Sequence, residues 1–236
     1  MVQDEAELHT YLRSFPADIR IVLQRYVADE GEAGVFYIRK PSETHGRITS
    51  LTLKYFPSVE GDGVSTLRTL IEREPRPKSI IRLYLRRNKR FLDEIVPKGK
   101  RHPLATVGNY VRGSIFMNGE DAITPEMIAA FDRISKDIKE FYYGRFDVRF
   151  ADLDEFKRGR GFTLLEFNAA SSEPTHVYAP HTSLGRMYRD MLAHWRQAYE
   201  IGAENRARGF APVSLWTVWK AVRDEARLIK RYPDEE

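Results

Sequence analysis

Two short runs carry the side chains best suited to chemistry: Gly144-Arg145-Phe146-Asp147-Val148-Arg149 and Leu164-Leu165-Glu166-Phe167-Asn168. Successive residues of a strand point to opposite faces. In the first run Phe146, Val148 and Phe150 therefore share one face, and Arg145, Asp147 and Arg149 share the other. The same alternation puts Leu164, Glu166 and Asn168 together, opposite Thr163, Leu165 and Phe167. A carboxylate and an amide set among bulky apolar residues suit a ligand-binding strand better than a plain one. If the two runs pair as a hairpin, Asp147 faces Glu166 and Asn168 at about 5 Å. Two carboxylates that close repel, and a divalent cation relieves the repulsion. Two carboxylates and an amide oxygen are hard ligands, suited to magnesium held jointly with substrate phosphates. A salt-bridge network with Arg145 and Arg149 is the other reading of the same residues.

The elements that must position these runs can be read from periodicity and punctuation. A helix is expected over Glu5 to Leu12, and a strand from Ile19 through Ile21 and Leu23 to Tyr26 and Val27. Ala28 to Gly34 reads as a turn or hinge, followed by antiparallel strands at Val35–Arg39 and Arg47–Phe56. Gly61-Asp62-Gly63 breaks the chain, and Ser65-Thr66 caps a helix through Leu67, Leu70 and Ile71. A basic stretch is expected to be helical around Ile80 to Asp93, and Val107 to Phe116 to be a strand containing Arg112. Thr124-Pro125 opens a helix whose apolar stripe is Ile128, Phe131, Ile134 and Ile138. A loop rich in glycine and basic residues joins the two key strands. From Thr182 the chain reads as helical, with a stripe of Leu184, Tyr188, Met191, Leu192 and Trp195. Gly209 to Pro212 interrupts it before a last helix with Trp216, Trp219 and Val222. The three tryptophans read as core packing. The class is α+β, an antiparallel sheet flanked by helices.

Composition narrows the function classes. The chain has 236 residues and 42% apolar content, enough for one large domain or one with a fragment of a second. The absence of cysteine excludes disulfides, thiolate metal sites and a cysteine nucleophile. A net charge of +4 invites a nucleic-acid reading, but the basic residues are interleaved with acids, so no nucleic-acid partner is expected. Nor is membrane contact, although Arg223 to Arg231 forms a basic helix. No run of about 18 apolar residues is present and the acidic start is no signal peptide, which fits a cytoplasmic protein.

The two runs together resemble the terminal signature of ATP-grasp enzymes such as D-alanine–D-alanine ligases. Upstream, Phe56 to Leu67, with Gly61-Asp62-Gly63-Val64-Ser65-Thr66-Leu67 at its end, is similar to a segment of the cyanophycin-synthetase and glutathione-synthetase branch. Order and spacing agree from about Leu23 to Tyr178. The resemblance implies an ATP- and magnesium-dependent ligase, with manganese an alternative ion, that joins a carboxylate to an amine through an acyl phosphate. It implies that Asp147, Glu166 and Asn168 are the metal ligands, with Glu166 bridging. Arg145 would steady the transferring phosphoryl group, Arg112 would contact substrate or phosphate, and Lys54 would reach the ATP phosphates. Gln24, Tyr26 and Val27 would form the adenine hinge, Glu32 would hold the ribose hydroxyls, and Leu164 would be the apolar floor under adenine. The loop Ala169 to His176 would meet the acceptor, with His176 and His181 as substrate contacts; it departs from the dipeptide ligases' glycine-containing loop.

The implied division is a partial ATP-grasp lid and hinge over 1–30, the ATP-grasp C-terminal catalytic domain over 31–181, and a helical extension over 182–236. No lysine precedes Lys40, so the glycine-rich, lysine-bearing lid of the family is expected to be truncated and the chain to be weakly active or inactive as given. Three functions stay open: a carboxylate–amine ligase acting on small molecules or peptides, a non-catalytic nucleotide- and metal-binding or regulatory module, and a basic binding module. The exposed half-lid could pair with another copy, as a homo-oligomer.

Overall fold

A strand buried on both faces needs a neighbour on each edge and a layer above and below. Residues 31–38 find all four. The computed structural model describes residues 2, 4–105 and 113–232. Its strands are β1 (Gly31–Ile38), β2 (Arg47–Tyr55), β3 (Ser58–Glu60), β4 (Arg101–Pro103), β5 (Ile115–Asn118), β6 (Tyr143–Phe150) and β7 (Phe162–Asn168). The helices are α1 (Glu5–Arg13), α2 (Leu67–Glu72), α3 (Lys78–Arg87), α4 (Pro125–Asp137), α5 (Leu153–Lys157), α6 (Leu184–Ala207) and α7 (Leu215–Ile229). Five strands form one antiparallel sheet in the order β5-β2-β1-β6-β7, and β3 pairs with β4 separately. This is the expected mixed architecture of helices on an antiparallel sheet.

The chain divides into two units, Asp29–Asn205 and the residues up to Ala28 together with those from Arg206 onward. In the larger unit, Ala33, Val35 and Tyr37 of β1 and Phe146, Val148 and Phe150 of β6 face α4. Thr124 caps α4 by accepting from the Met127 N–H, and Pro125 opens it. Phe131 of α4 is fully buried, stacked on Phe162 with ring centroids 5.1 Å apart and tilted on Phe146 at 5.5 Å. On the opposite face, Phe36, Ile38, Tyr142 and Tyr143 meet Ala198 and Ile201 of α6. Burial pushes the Tyr143 hydroxyl up to about 12. A second cluster, with Leu67, Ile71, Tyr84 and Leu92, gathers α2 and α3. Asp62 accepts from the Ser65 hydroxyl and from the backbone N–H groups of Ser65 and Val64. Those bonds make Gly61-Asp62-Gly63 the turn into α2 and hold the Asp62 carboxyl down to about 2.

Several sequence expectations are corrected. Residues 19–27 form no strand, and Val22 and Leu23 are exposed; alternation alone does not make a sheet. The expected turn over Ala28 to Gly34 ends early, because β2 and β6 pair with the chain from Gly31 and Glu32 onward. The connection between β6 and β7 is more than a loop: Asp152 caps α5, whose Phe156 is fully buried. Gly159 then turns at φ 69°, where a Cβ would lie 2.5 Å from the Glu126 carbonyl oxygen. Helix α3 ends at Arg87, short of Asp93. Of the strand expected at Val107–Phe116, the described residues are 113–116, of which Ile115 and Phe116 are in β5, and Arg112 lies outside them.

Helix α6 turns the other way from its apolar stripe. His194 and Ile201 are its buried residues, while Leu184, Tyr188, Leu192 and Trp195 are exposed. The surface there presents Thr49 and Ser50 of β2 and His176 of the turn Thr175–Tyr178, so the polar side of the helix fits it better. Trp216 and Trp219 are exposed too, stacked on each other at 4.7 Å rather than in a core. In the smaller unit, α1 is capped by Asp4 and α7 by Ser214, and neither helix has a buried residue. No helix among the described residues is long and apolar enough to cross a membrane.

Two outcomes follow from this packing. Phe131→Ala is expected to lower unfolding free energy by about 3–5 kcal/mol in urea titration, with near-native secondary structure before the transition. His194 donates through Nδ1 to the Asp190 carbonyl at 2.7 Å, and burial lowers its pKa from the ordinary value of 6.5. The unfolded chain then takes up this proton first, so His194 costs stability as pH falls below about 6.5 and through the lowered folded value. The melting temperature should fall over that range, and less steeply in His194→Gln.

Candidate functional site

One face of the sheet carries charge in the middle of the molecule. The register builds it in rows. Lys54, Glu32, Arg149 and Thr163 form one row across β2, β1, β6 and β7. Thr52, Gly34, Asp147 and Glu166 form the next, and Ser50, Phe36, Arg145 and Asn168 the third. The charged residues follow from period-two alternation: the same strands send Ala33, Val35, Phe146 and Val148 to the α4 side.

The pairing alternates in sign. Lys54 Nζ donates to Glu32 Oε1 at 3.0 Å and to Asp147 Oδ1 at 3.1 Å, and all three side chains are no more than 7% exposed. Arg149 Nε donates to Glu32 Oε2 at 3.3 Å. Arg145 holds both Asp147 oxygens in a fork, Nε to Oδ1 at 3.0 Å and Nη2 to Oδ2 at 2.9 Å. Asn168 Nδ2 bridges Asp147 Oδ2 at 3.2 Å and Glu166 Oε1 at 3.1 Å. Burial by itself would raise the Asp147 carboxyl; the Arg145 hydrogen bonds and the Lys54 charge outweigh it and hold it below its ordinary value. Gly34 keeps the centre open. A Cβ there would sit 3.1 Å from Arg145 Cδ and 3.2 Å from Asp147 Oδ1, so a side chain would press the fork aside by a few tenths of an ångström.

Six of the sequence-predicted residues thus come together: Glu32, Lys54, Arg145, Asp147, Glu166 and Asn168. Leu164 does not join them. The register of β7 shifts at Leu165, so Leu164 lies opposite Val148 and packs in the α4 core, away from Glu166. Gln24, Tyr26 and Val27 belong to the smaller unit, outside any strand. Arg112 is outside the described residues. The places of Gly34 and Thr52 in the Asp147 row escaped the sequence reading. Beginning the strand at Gly31 would have put Glu32 and Gly34 on the face of Asp147, but Gly31 and Gly34 read as turn punctuation.

As a metal-holding set, Asp147, Glu166 and Asn168 offer two carboxylates and one amide oxygen, the donor chemistry of magnesium shared with phosphate. Among the described residues no group of three histidine, cysteine, aspartate or glutamate side chains is placed to hold an ion by itself. Magnesium here needs other oxygens to complete its shell, the Asn168 amide turned to present Oδ1, and Asp147 released from at least one cation. The set fits a shared ion, not a closed protein cage.

Lys54→Met takes from Glu32 and Asp147 the cation they share and leaves each only its arginine. It is expected to cost about 3–5 kcal/mol of stability, read by urea titration at neutral pH. The penalty should shrink when Glu32→Gln is combined with it, because one uncompensated charge is removed.

No protein-family model matches the chain, and no curated protein matches it. Among solved structures it is similar to a bifunctional glutathione synthetase from Pasteurella multocida, at 15% identity and a TM-score of 0.43. The similarity covers 72% of this chain and 24% of the synthetase, so the chain spans about a quarter of that protein's length.

Proposed function

We propose that the larger unit binds a magnesium–nucleotide phosphate group on the Asp147 face, as part of an ATP-dependent carboxylate–amine ligase. One observation carries this reading: Asp147, Glu166 and Asn168 converge beside Arg145 and Lys54 on one sheet face, with Asp147 and Lys54 buried and Glu166 exposed at its rim. Phosphoryl transfer asks a protein mainly to position groups and neutralise charge. Here the cations and the oxygen ligands stand within one another's reach, so the loaded site needs only an exchange of partners. Arg145 and Lys54 would serve phosphate oxygens in place of Asp147, and Asp147, Glu166 and Asn168 Oδ1 would be the residues that hold the ion. When bound, magnesium supplies charge to the phosphate oxygens. Glu32 keeps Lys54 aligned through the exchange and is itself held by Arg149.

A second reading has its own observation. Every charge in the Glu32–Lys54–Asp147–Arg145 series already has an opposite partner, as in a ladder that only fastens three strands together.

Calorimetry with ADP and a non-hydrolysable ATP analogue separates the two. Magnesium-dependent binding should appear in the wild type and weaken at least tenfold in Asp147→Asn combined with Glu166→Gln, about 1.4 kcal/mol or more. Binding absent at millimolar nucleotide, or indifferent to magnesium and to the double variant, would leave the fastening ladder as the function of these charges.

A further inference from the structure

Helix α7 has no buried residue, although its sequence is patterned to bury one side. Successive residues of a helix turn by about 100°. Val218, Ile229, Val222, Leu215 and Trp219 therefore crowd one side, with Trp216 at its edge. That side is open: Leu215 is 89% exposed, Trp216 68% and Ile229 61%. Apolar surface gathered and exposed in this way marks a place of contact. The sequence reading set membrane contact aside while it placed the tryptophans in a core, and their exposure removes that ground.

The charges around the helix are sorted as well. An arc of about 200° runs from Val218 through Trp219 to Lys220. Within it lie the apolar residues just named, Arg223, Arg227 and the capping Lys230, and no acid. Asp224 and Glu225 fall outside the arc, one beyond each edge. Asp224 lies 3.2 Å from Arg223 and 4.0 Å from Arg227, exposed pairs that another anion can replace at little cost. Arg231, past the helix, is taken by Asp18, and Asp234, Glu235 and Glu236 follow in the sequence. What distinguishes α7 is where its charges lie, not a net surplus.

The aromatic residues point to the kind of partner. Trp216 and Trp219 stack with ring centroids 4.7 Å apart, and the Arg223 guanidinium lies 4.9 Å from the Trp219 ring centre. Just before the helix, Arg208 lies over Phe210 in the same way, at 5.3 Å. An indole has an apolar body and an N–H that needs an acceptor, so it suits a boundary between oil and water. Duplex nucleic acid would serve the basic edge and leave Leu215, Val222 and Ile229 in water. A second α7 laid antiparallel would bring basic edge against basic edge, and the apolar arc, about 160° wide, exceeds a two-helix seam. An anionic bilayer surface complements every part: acyl chains for the aliphatic residues, ester oxygens for the indoles and phosphates for the basic edge. With 15 residues, α7 is about 22 Å long, too short to cross and suited to lie flat. We infer that α7 docks on an anionic lipid surface, with Leu215, Trp219 and Val222 inserted and Lys220, Arg223 and Arg227 at the head groups. The inference stands on α7 alone and is independent of the phosphate reading.

Vesicle co-sedimentation of the whole chain tests it, with phosphatidylcholine alone and with about 30% phosphatidylglycerol added. The anionic vesicles should bind the chain about fivefold more tightly or better, and less so as salt rises. Trp216→Ser combined with Trp219→Ser should weaken that binding about tenfold. Lys220→Gln combined with Arg227→Gln should bring it to within about twofold of the phosphatidylcholine level. None of these changes removes a buried side chain, and circular dichroism matching the wild type reports the intact fold. In Trp195→Phe the remaining tryptophans are Trp216 and Trp219; their emission should shift to the blue on anionic vesicles and be quenched by acyl chains carrying bromine. Equal binding to the two vesicle types, binding unchanged in the tryptophan pair variant, or no quenching by brominated chains overturns the inference. So does a dimer, seen by light scattering without lipid, that the tryptophan pair variant dissociates, since a second copy then covers α7. Tighter binding to random duplex DNA than to anionic vesicles overturns it as well.

Discussion

The burial of Lys54 between two carboxylates is the constraint on which the central sheet depends. A lone ammonium or carboxylate in that position would cost several kcal/mol in lost hydration. Glu32 comes from the central strand β1 and Asp147 from its neighbour β6, and Lys54 reaches both from β2 on the other side of β1. Pairing the charges requires the three strands to keep one register, since a slip by one residue would move every charge to the α4 side. Arg145 and Arg149, on β6 itself to either side of Asp147, complete the balance. The cluster is therefore both the polar content of the core and a check on strand alignment, and any use it has in binding phosphate operates on groups already desolvated and oriented.

Much of this was legible in the sequence because the signals were local. Thr124-Pro125 and Thr66 cap helices as their types and positions suggest. The alternation of Phe146, Val148 and Phe150 with Arg145, Asp147 and Arg149 sorts β6 correctly into its two faces. Facing Asp147 to Glu166 followed from alternation and proximity alone. What failed to be legible depended on distant chain. Leu164 alternates with Glu166 in sequence but is moved to the other face by one extra residue in β7, a defect that periodicity cannot register. Ile19 to Val27 has the pattern of a strand and forms none. The turn reading of Ala28 to Gly34 weighed two glycines by propensity, whereas pairing on both edges decides their state.

Helix α6 teaches the complementary lesson. Its apolar stripe points outward while His194, Asp190 and Gln197 line a polar cavity against the sheet. Which side of an amphipathic helix turns inward depends on the chemistry of the surface it meets. Thr49, Ser50 and His176 make that surface polar, so the inward face carries groups that satisfy hydrogen bonds, and packing is left to Ala198 and Ile201.

The strand order also dictates when the charged face comes into existence as the chain folds. The β6–β7 hairpin closes over a short connection stiffened by α5 and can form early, whereas β1 reaches β6 only by closing a loop of more than 100 residues. Asp147 and Arg145 can meet while the hairpin is alone, but Lys54 and Glu32 arrive with the long-range closure. The full cluster is thus a late product of assembly. Any fluctuation that parts β1 from β6 dissolves it at once and leaves the hairpin standing, so the binding face and the most demanding step of topology share one point of failure.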